Sequence, residues 1–313
     1  MFFRQAARYG NKPLIHYRHG DKWQVETWAD VRKHVLSVAS ALIAAGVKPH
    51  DSVLLISENR VEWVYCDFAI QTIGAVTVPV YPNSPAEMAQ AIAANSGATY
   101  AIASGAPLAA KLKVGGALRE IATMDGKVAD WVRRPALNLT EIAARLSEVT
   151  PEDICTIVYT SGTTGTPKGV ELAHRNLVDT ARAAVQMHPI TDQDSSLSWL
   201  PLAHVFGRIN EMFDGMVYGG ETWVSAGSDH LVEELQYVKP TVMCSAPRVY
   251  EKMYAAVIAR VQKAGSAKRA IFASGCSRIS PWPSSPPPVS DVRVFEPASR
   301  MPRSGPARLT TVE

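Results

Sequence analysis

Cysteine is scarce and scattered. Four thiols, Cys66, Cys155, Cys244 and Cys276, are spread over 313 residues with no CxxC pair, which excludes a disulfide-stapled scaffold and gives no thiolate metal or redox site. A reducing cytosol fits that usage. An excess of one charge is also missing: the formal charge is +3, and the basic residues do not gather into a stripe, so nucleic acid is not an expected partner. Long hydrophobic runs are absent as well. The longest apolar stretch, residues 69 to 81, is broken by Gln71, Thr72, Gly74, Thr77 and Pro79, so no transmembrane segment is expected. The opening MFFRQAARYG lacks the apolar core and cleavage site of a signal peptide.

What is present is a globular pattern, 47% hydrophobic and 19% charged, enough to bury one large core or two smaller ones. PLIHYRHGDKWQVETW alternates on both sides of His19-Gly20-Asp21, which predicts two strands joined by a tight turn. Trp28, Val31, Val35, Ala39, Leu42 and Ile43 then recur at helical spacing up to Gly46. Beyond them SVLLIS, AVTVPVY and TYAIAS read as buried strands, with helices over 60–73 and 86–95 between them. That alternation predicts an α/β fold with a largely parallel sheet covered by helices. A strand near Ile121 and a helix over 141–148 follow, then the strand DICTIVYT, a helix from about His174, strands at SLSWL, ETWVSA and TVMCSA, a helix over 205–217, and a helix from Arg248 to Lys263.

The character changes after residue 272. Residues 281 to 313 hold eight of the chain's 21 prolines, a density that blocks helix and central strand. The expected organisation is a domain over 1–272 and a disordered Pro/Ser/Arg-rich tail over 273–313. A natural flexible linker and translation in a shifted frame both fit the tail; the second is favoured because the last periodic helix stops without the strand that should follow.

The densest chemical signal is IVYTSGTTGTPKGVELAHRNL, residues 157 to 177. A loop that grips phosphate needs backbone N–H groups turned inward, glycines for close approach, and hydroxyl or ammonium donors for the outer oxygens. TSGTTGTPKG supplies all three. It is not the P-loop of ordinary NTPases: GxxxxGK[ST] counted from Gly162 would need glycine at Pro167 and a hydroxyl at Gly169. A flexible Ser/Thr/Gly surface turn is the plain alternative.

The string resembles the signature of the adenylate-forming (AMP-binding) superfamily, which contains acyl-CoA synthetases, luciferases and peptide-synthetase adenylation domains. LPLAHVFGRINEMF and KPTVMCSAPRVYEKMY resemble its long-chain fatty acyl-CoA synthetase branch, with Gly207 where that branch commonly has an acidic residue. The resemblance implies residues 1–272 as an incomplete N-terminal domain of the adenylate-forming fold. The implied activity is ATP-dependent activation of a long-chain fatty acid to an acyl-adenylate and then acyl-CoA. Its partners would be fatty acid, ATP, Mg2+ and coenzyme A, in the cytoplasm, with peripheral membrane contact left open.

By the same resemblance Thr160, Ser161, Gly162, Thr163, Thr164 and Gly165 would wrap the β- and γ-phosphates of ATP, Thr163 or Thr164 would meet magnesium, and Lys168 would place a positive charge near the departing pyrophosphate. A solvated lysine is the bland alternative. His204 would gate the carboxylate between the nucleotide and acyl sites, or be a satisfied core histidine. Trp199, Phe206, Met212, Phe213 and Met216 could line an acyl tunnel, or form plain core. Arg248 and Glu251 read as an ion pair or as part of the acyl gate.

The family's aromatic-Gly-x-Thr-Glu and Thr-Gly-Asp motifs and its C-terminal lysine are not recognisable. YGGET (218–222) and SGAPL (104–108) are chance look-alikes in the wrong order. Without ribose and carboxylate positioning, worth about 7 kcal/mol or more of a barrier, the chain is expected not to turn over. A retained nucleotide- or acyl-binding fragment and a synthetase for another carboxylic acid are the alternatives.

Overall fold

The computed structural model describes residues 1–113, 118–161, 167–188, 190–266, 269–272, 274 and 309–311. Met1–Cys244 with the C-terminal strand residues form one compact unit, and Ser245–Gly305 a second. The tail over 273–313 lies outside the described residues except for Ser274 and the strand 309–311.

The first unit opens with α1 (Phe2–Tyr9), the antiparallel hairpin β1 (Pro13–His19) and β2 (Lys22–Thr27), and α2 (Trp28–Ala44). Thr27 and Asp30 start α2 with a reciprocal capping box: the Asp30 N–H donates to Thr27 Oγ1 at 3.2 Å, and the Thr27 N–H to Asp30 Oδ2 at 3.0 Å. Alternating strands and helices follow as β3 (Ser52–Ile56), α3 (Val61–Thr72), β4 (Val76–Val80), α4 (Ala86–Asn95), β5 (Tyr100–Ala103), α5 (Ala106–Lys111) and β6 (Glu120–Thr123). A π-helical turn (Met124–Val128), α6 (Ala129–Arg133) and α7 (Leu139–Glu148) lead to the hairpin β7 (Ile154–Ser161) and β8 (Pro167–Ala173), then α8 (His174–Met187).

The large sheet runs β8-β7-β4-β3-β5-β6, parallel from β7 through β6, with β8 antiparallel to β7 and Leu309–Thr311 antiparallel on β8. Successive residues of β3 explain why the stretch is apolar throughout. Val53 and Leu55 enter the core under α2 and α3, while Leu54 and Ile56 enter the one under α4 and α5, as a strand covered on both faces requires.

The chain then builds a second sheet from β9 (Ser195–Ser198) and β10 (Glu221–Val224), ordered β2-β1-β10-β9. Between these strands lie α9 (Val205–Gly207), a π-helical turn (Arg208–Phe213) and α10 (Asp214–Tyr218). After β10 comes α11 (Leu231–Val238); TVMCSA is not a strand but a single bridge from Val242 to Ser196. In the second unit α12 (Pro247–Gln262) carries no buried residue. No described helix is long and apolar enough to cross a membrane.

Candidate active site

The hydroxyl-rich loop joins β7 to β8 as the tip of a hairpin. Sequence periodicity passes from β7 straight to α8, but PKGVELA forms a full strand registered against β7 from Ser161↔Pro167 to Ile154↔Ala173. The loop is therefore followed by a strand and does not open a helix. Thr160 is exposed and pairs across the hairpin with Lys168, so a hydroxyl and an ammonium flank the loop directly. Gly162, Thr163, Thr164 and Gly165 lie outside the described residues, as does the Ser161 side chain.

Register carries the loop to a second feature. β4 and β7 are parallel with Thr77 beside Thr156, so Tyr81, just past the end of β4, and Thr160, near the end of β7, both lie toward the carboxyl edge of the sheet. This edge is where open α/β sheets place ligands. His204 stands against Tyr81 there, ring centroids 6.4 Å apart and inclined at 60°. Its Nδ1 accepts the Phe206 N–H at 3.1 Å, which leaves the proton of the neutral ring on Nε2. Burial pushes the imidazole pKa down, favouring that neutral form near pH 7.

The histidine segment is held from behind by buried polar groups. Glu211 accepts Ser198 Oγ at 2.8 Å and the Trp199 and Leu200 N–H groups at 3.2 and 3.0 Å. Its burial pushes the carboxyl pKa up to about 8. Asn59 clamps the same strand exit, donating to Leu200 O at 2.7 Å and accepting the Leu202 N–H at 2.9 Å. Deeper still, Arg208 and Asp67, 1% and 0% exposed, form an ion pair. Arg208 also donates from Nη1 to Thr156 Oγ1 at 2.7 Å, and Thr156 donates to Thr77 O at 2.7 Å. One guanidinium thus ties the segment after His204 to α3 and to β7. Sequence reading missed Asp67, Arg208 and Glu211; the signal was a lone aspartate in the otherwise apolar run VYCDFAI.

The description "AMP-binding enzyme" matches residues 2–295. The chain belongs to the AMP-binding enzyme family. Among curated relatives, the long-chain-fatty-acid–CoA ligase FadD15 of Mycobacterium tuberculosis is 35% identical over 273 residues, covering 83% of this chain and 45% of the relative. The peroxisomal long chain acyl-CoA synthetase 7 of Arabidopsis thaliana is 30% identical over 264 residues, covering 79% of this chain and 37% of the relative. The chain thus spans less than half the length of these two AMP-binding relatives. Among solved structures, the inhibitor-bound N-terminal domain of FACL13 from Mycobacterium tuberculosis superposes with a TM-score of 0.70 at 20% identity, covering 80% of this chain and 63% of that one. That likeness establishes the fold.

Seen as an AMP-binding chain, the apolar stripe divides. Phe206 is 44% exposed beside His204, and Trp199 is tied by its Nε1–H to Cys244 O at 2.9 Å. Met212, Phe213 and Met216 are buried in the main core, where Phe213 packs edge-on against Phe68 at 6.1 Å. Gly207 has a steric reason for lacking the branch's acidic side chain: a Cβ there would lie 2.6 Å from Pro201 O, a contact no real Cβ makes. Arg248 and Glu251 are exposed on α12 in the second unit. Cys66 and Cys155 are free and buried, and burial pushes the Cys155 thiol up to about 12, so neither is a nucleophile near neutrality.

Proposed function

We propose that this chain is the phosphate-gripping part of an AMP-forming long-chain fatty acyl-CoA ligase. The observation that carries the reading is the parallel pairing of β4 and β7, which carries Tyr81, with His204 against it, toward the same sheet edge as Thr160. Thr160 through Gly165 would hold the β- and γ-phosphates of ATP through backbone N–H and hydroxyl donors. Lys168, opposite Thr160 on the hairpin, would follow the charge onto pyrophosphate. His204, neutral with Nε2–H free of the Phe206 contact, would orient the fatty carboxylate toward the α-phosphate. Phe206 and Trp199 would meet the acyl chain. The long-chain acid is taken from the names of the relatives.

Magnesium fits this donor set in one manner. Among the described residues no cluster of three or more His, Cys, Asp or Glu could hold a metal, and the hydroxyls of Thr163 and Thr164 are hard oxygen donors suited to an ion bound mainly through phosphates. When bound, magnesium would neutralise phosphate charge. Coenzyme A would enter as a substrate. The family's aromatic-Gly-x-Thr-Glu and Thr-Gly-Asp motifs and its C-terminal lysine are not recognisable in these 313 residues, so the property proposed for them is ligand binding without turnover.

The test joins two assays on the purified chain. ATP–pyrophosphate exchange with palmitate should be absent, and titration with Mg-ATP should show binding that Lys168→Ala weakens. Clear exchange would overturn the reading of binding without turnover; no nucleotide binding at all would overturn the phosphate loop.

A further inference from the structure

The turn that carries Tyr81 is short of donors. Tyr81-Pro82-Asn83-Ser84 closes as a β-turn after β4, with the Ser84 N–H donating to Tyr81 O at 3.0 Å and proline at the second position, where its fixed φ is favoured. Pro85 then stands at the cap of α4. Two prolines in so short a stretch remove two N–H groups, and Ser84 is buried. The carbonyls of the turn therefore need a donor from elsewhere in the chain.

Lys111, the last residue of α5, supplies it. Its Nζ donates to Pro82 O at 2.7 Å and to Ser84 O at 2.9 Å, so two of the three ammonium donors are used on main-chain oxygens. A lysine at a helix end ordinarily keeps its charged head in water; this one is folded onto the turn. The tie is reciprocal, because Gln90 on α4 donates from Nε2 to Lys111 O at 2.8 Å. α5 thus grips the entry to α4, and α4 grips the exit of α5.

His204 depends on that turn. Two contacts orient its ring: the Phe206 N–H on Nδ1 at 3.1 Å, and the Tyr81 ring at 6.4 Å and 60°. The hydrogen bond fixes where one nitrogen lies, and the neighbouring ring limits how the imidazole plane can turn. We infer that Lys111 is a positioning residue for His204: its ammonium staples the Tyr81–Ser84 turn, and the stapled Tyr81 ring sets the plane of the imidazole. This deepens the ligase reading and rests on it for its consequence, a carboxylate-orienting histidine fixed before any ligand arrives.

NMR of the full chain with isotope-labelled histidine tests the staple, the His204 signal being assigned by its loss in His204→Gln. Tyr81→Leu, which removes the ring, should shift that signal, and Tyr81→Phe, which keeps the ring, should leave it near the parent position. Lys111→Met should shift it in the same direction as Tyr81→Leu. Lys111→Arg, whose fork of donors can reach both carbonyls, should bring it back toward the parent, which loss of helix packing alone would not do. A His204 signal unmoved in folded Lys111→Met or Tyr81→Leu, or moved equally by Lys127→Met on the surface, would overturn the assignment. Mg-ATP affinity should stay within about twofold of the parent in Lys111→Met; a fall as large as in Lys168→Ala would make Lys111 a direct anion contact and overturn the positioning role. A parent chain that binds no Mg-ATP would sink the phosphate loop, and the histidine signal would still decide the staple.

Discussion

The β7–β8 hairpin and the histidine segment both lie toward one edge of the large sheet and are built in opposite ways. The hairpin carries hydroxyl residues and glycines in sequence between its two strands, and Thr160 and Lys168 are set by strand pairing. The histidine segment rests on Glu211, Asn59 and an Arg208–Asp67 pair buried beneath it. A loop that wraps a ligand gains its order from the ligand, whereas a single side chain that must meet a reacting group has to be fixed beforehand. Ligand affinity should therefore respond to the hairpin, and stability to the histidine segment.

The largest effect should come from splitting the buried ion pair. Asp67→Leu or Arg208→Met alone leaves an uncompensated charge and should cost about 3–5 kcal/mol in denaturant unfolding. The double replacement should cost clearly less than the sum of the two, which a double-mutant cycle will read. Equal, additive costs would mean that the network does not act as a unit.

The second effect is a pH dependence. Glu211 is pushed up to about 8 and Asp214, also buried, up to about 7. Both native carboxyls then hold protons that the unfolded chain releases near pH 4 to 5, so stability should fall as pH rises from about 5 to 8, by on the order of a few kcal/mol. Unfolding free energies at pH 5.5 and 8 should differ in that direction, and Glu211→Gln should flatten the profile. A flat profile in the native sequence would remove Glu211 as a neutral anchor.

Gly207→Glu should follow, costing about 1–3 kcal/mol by overpacking against Pro201; a stability equal to the parent would show that the Leu200–Pro201 turn yields easily.

The pattern of apolar residues made most of the large sheet legible, because a strand buried on both faces and a helix buried on one leave distinct periods. β3, β4, β5, α2 and α3 all fall where the pattern places them. β8 did not, since Pro167, Lys168 and Gly169 at its start read as loop, and pairing with distant or neighbouring strands extends them. TVMCSA looks like a strand but finds a single bridge, because strand formation needs a partner as well as propensity. α1 and α11 are short and were not expected. At the site, the loop and His204 were visible as local strings. The supporting Asp67, Arg208 and Glu211 were not, because a charged residue in one sequence reads as surface until its distant partner is seen.

Lys168→Ala separates the two regions most cleanly, since the side chain is partly exposed in a hairpin. Calorimetric titration with Mg-ATP, alongside thermal unfolding of the same samples, is the direct measurement. Nucleotide affinity should fall by about tenfold or more, as expected for loss of one charge-assisted contact of about 1.5–3 kcal/mol, while unfolding stays within about 0.5 kcal/mol of the parent. Unchanged affinity in a stably folded variant would contradict the assignment of the β7–β8 hairpin as the phosphate grip.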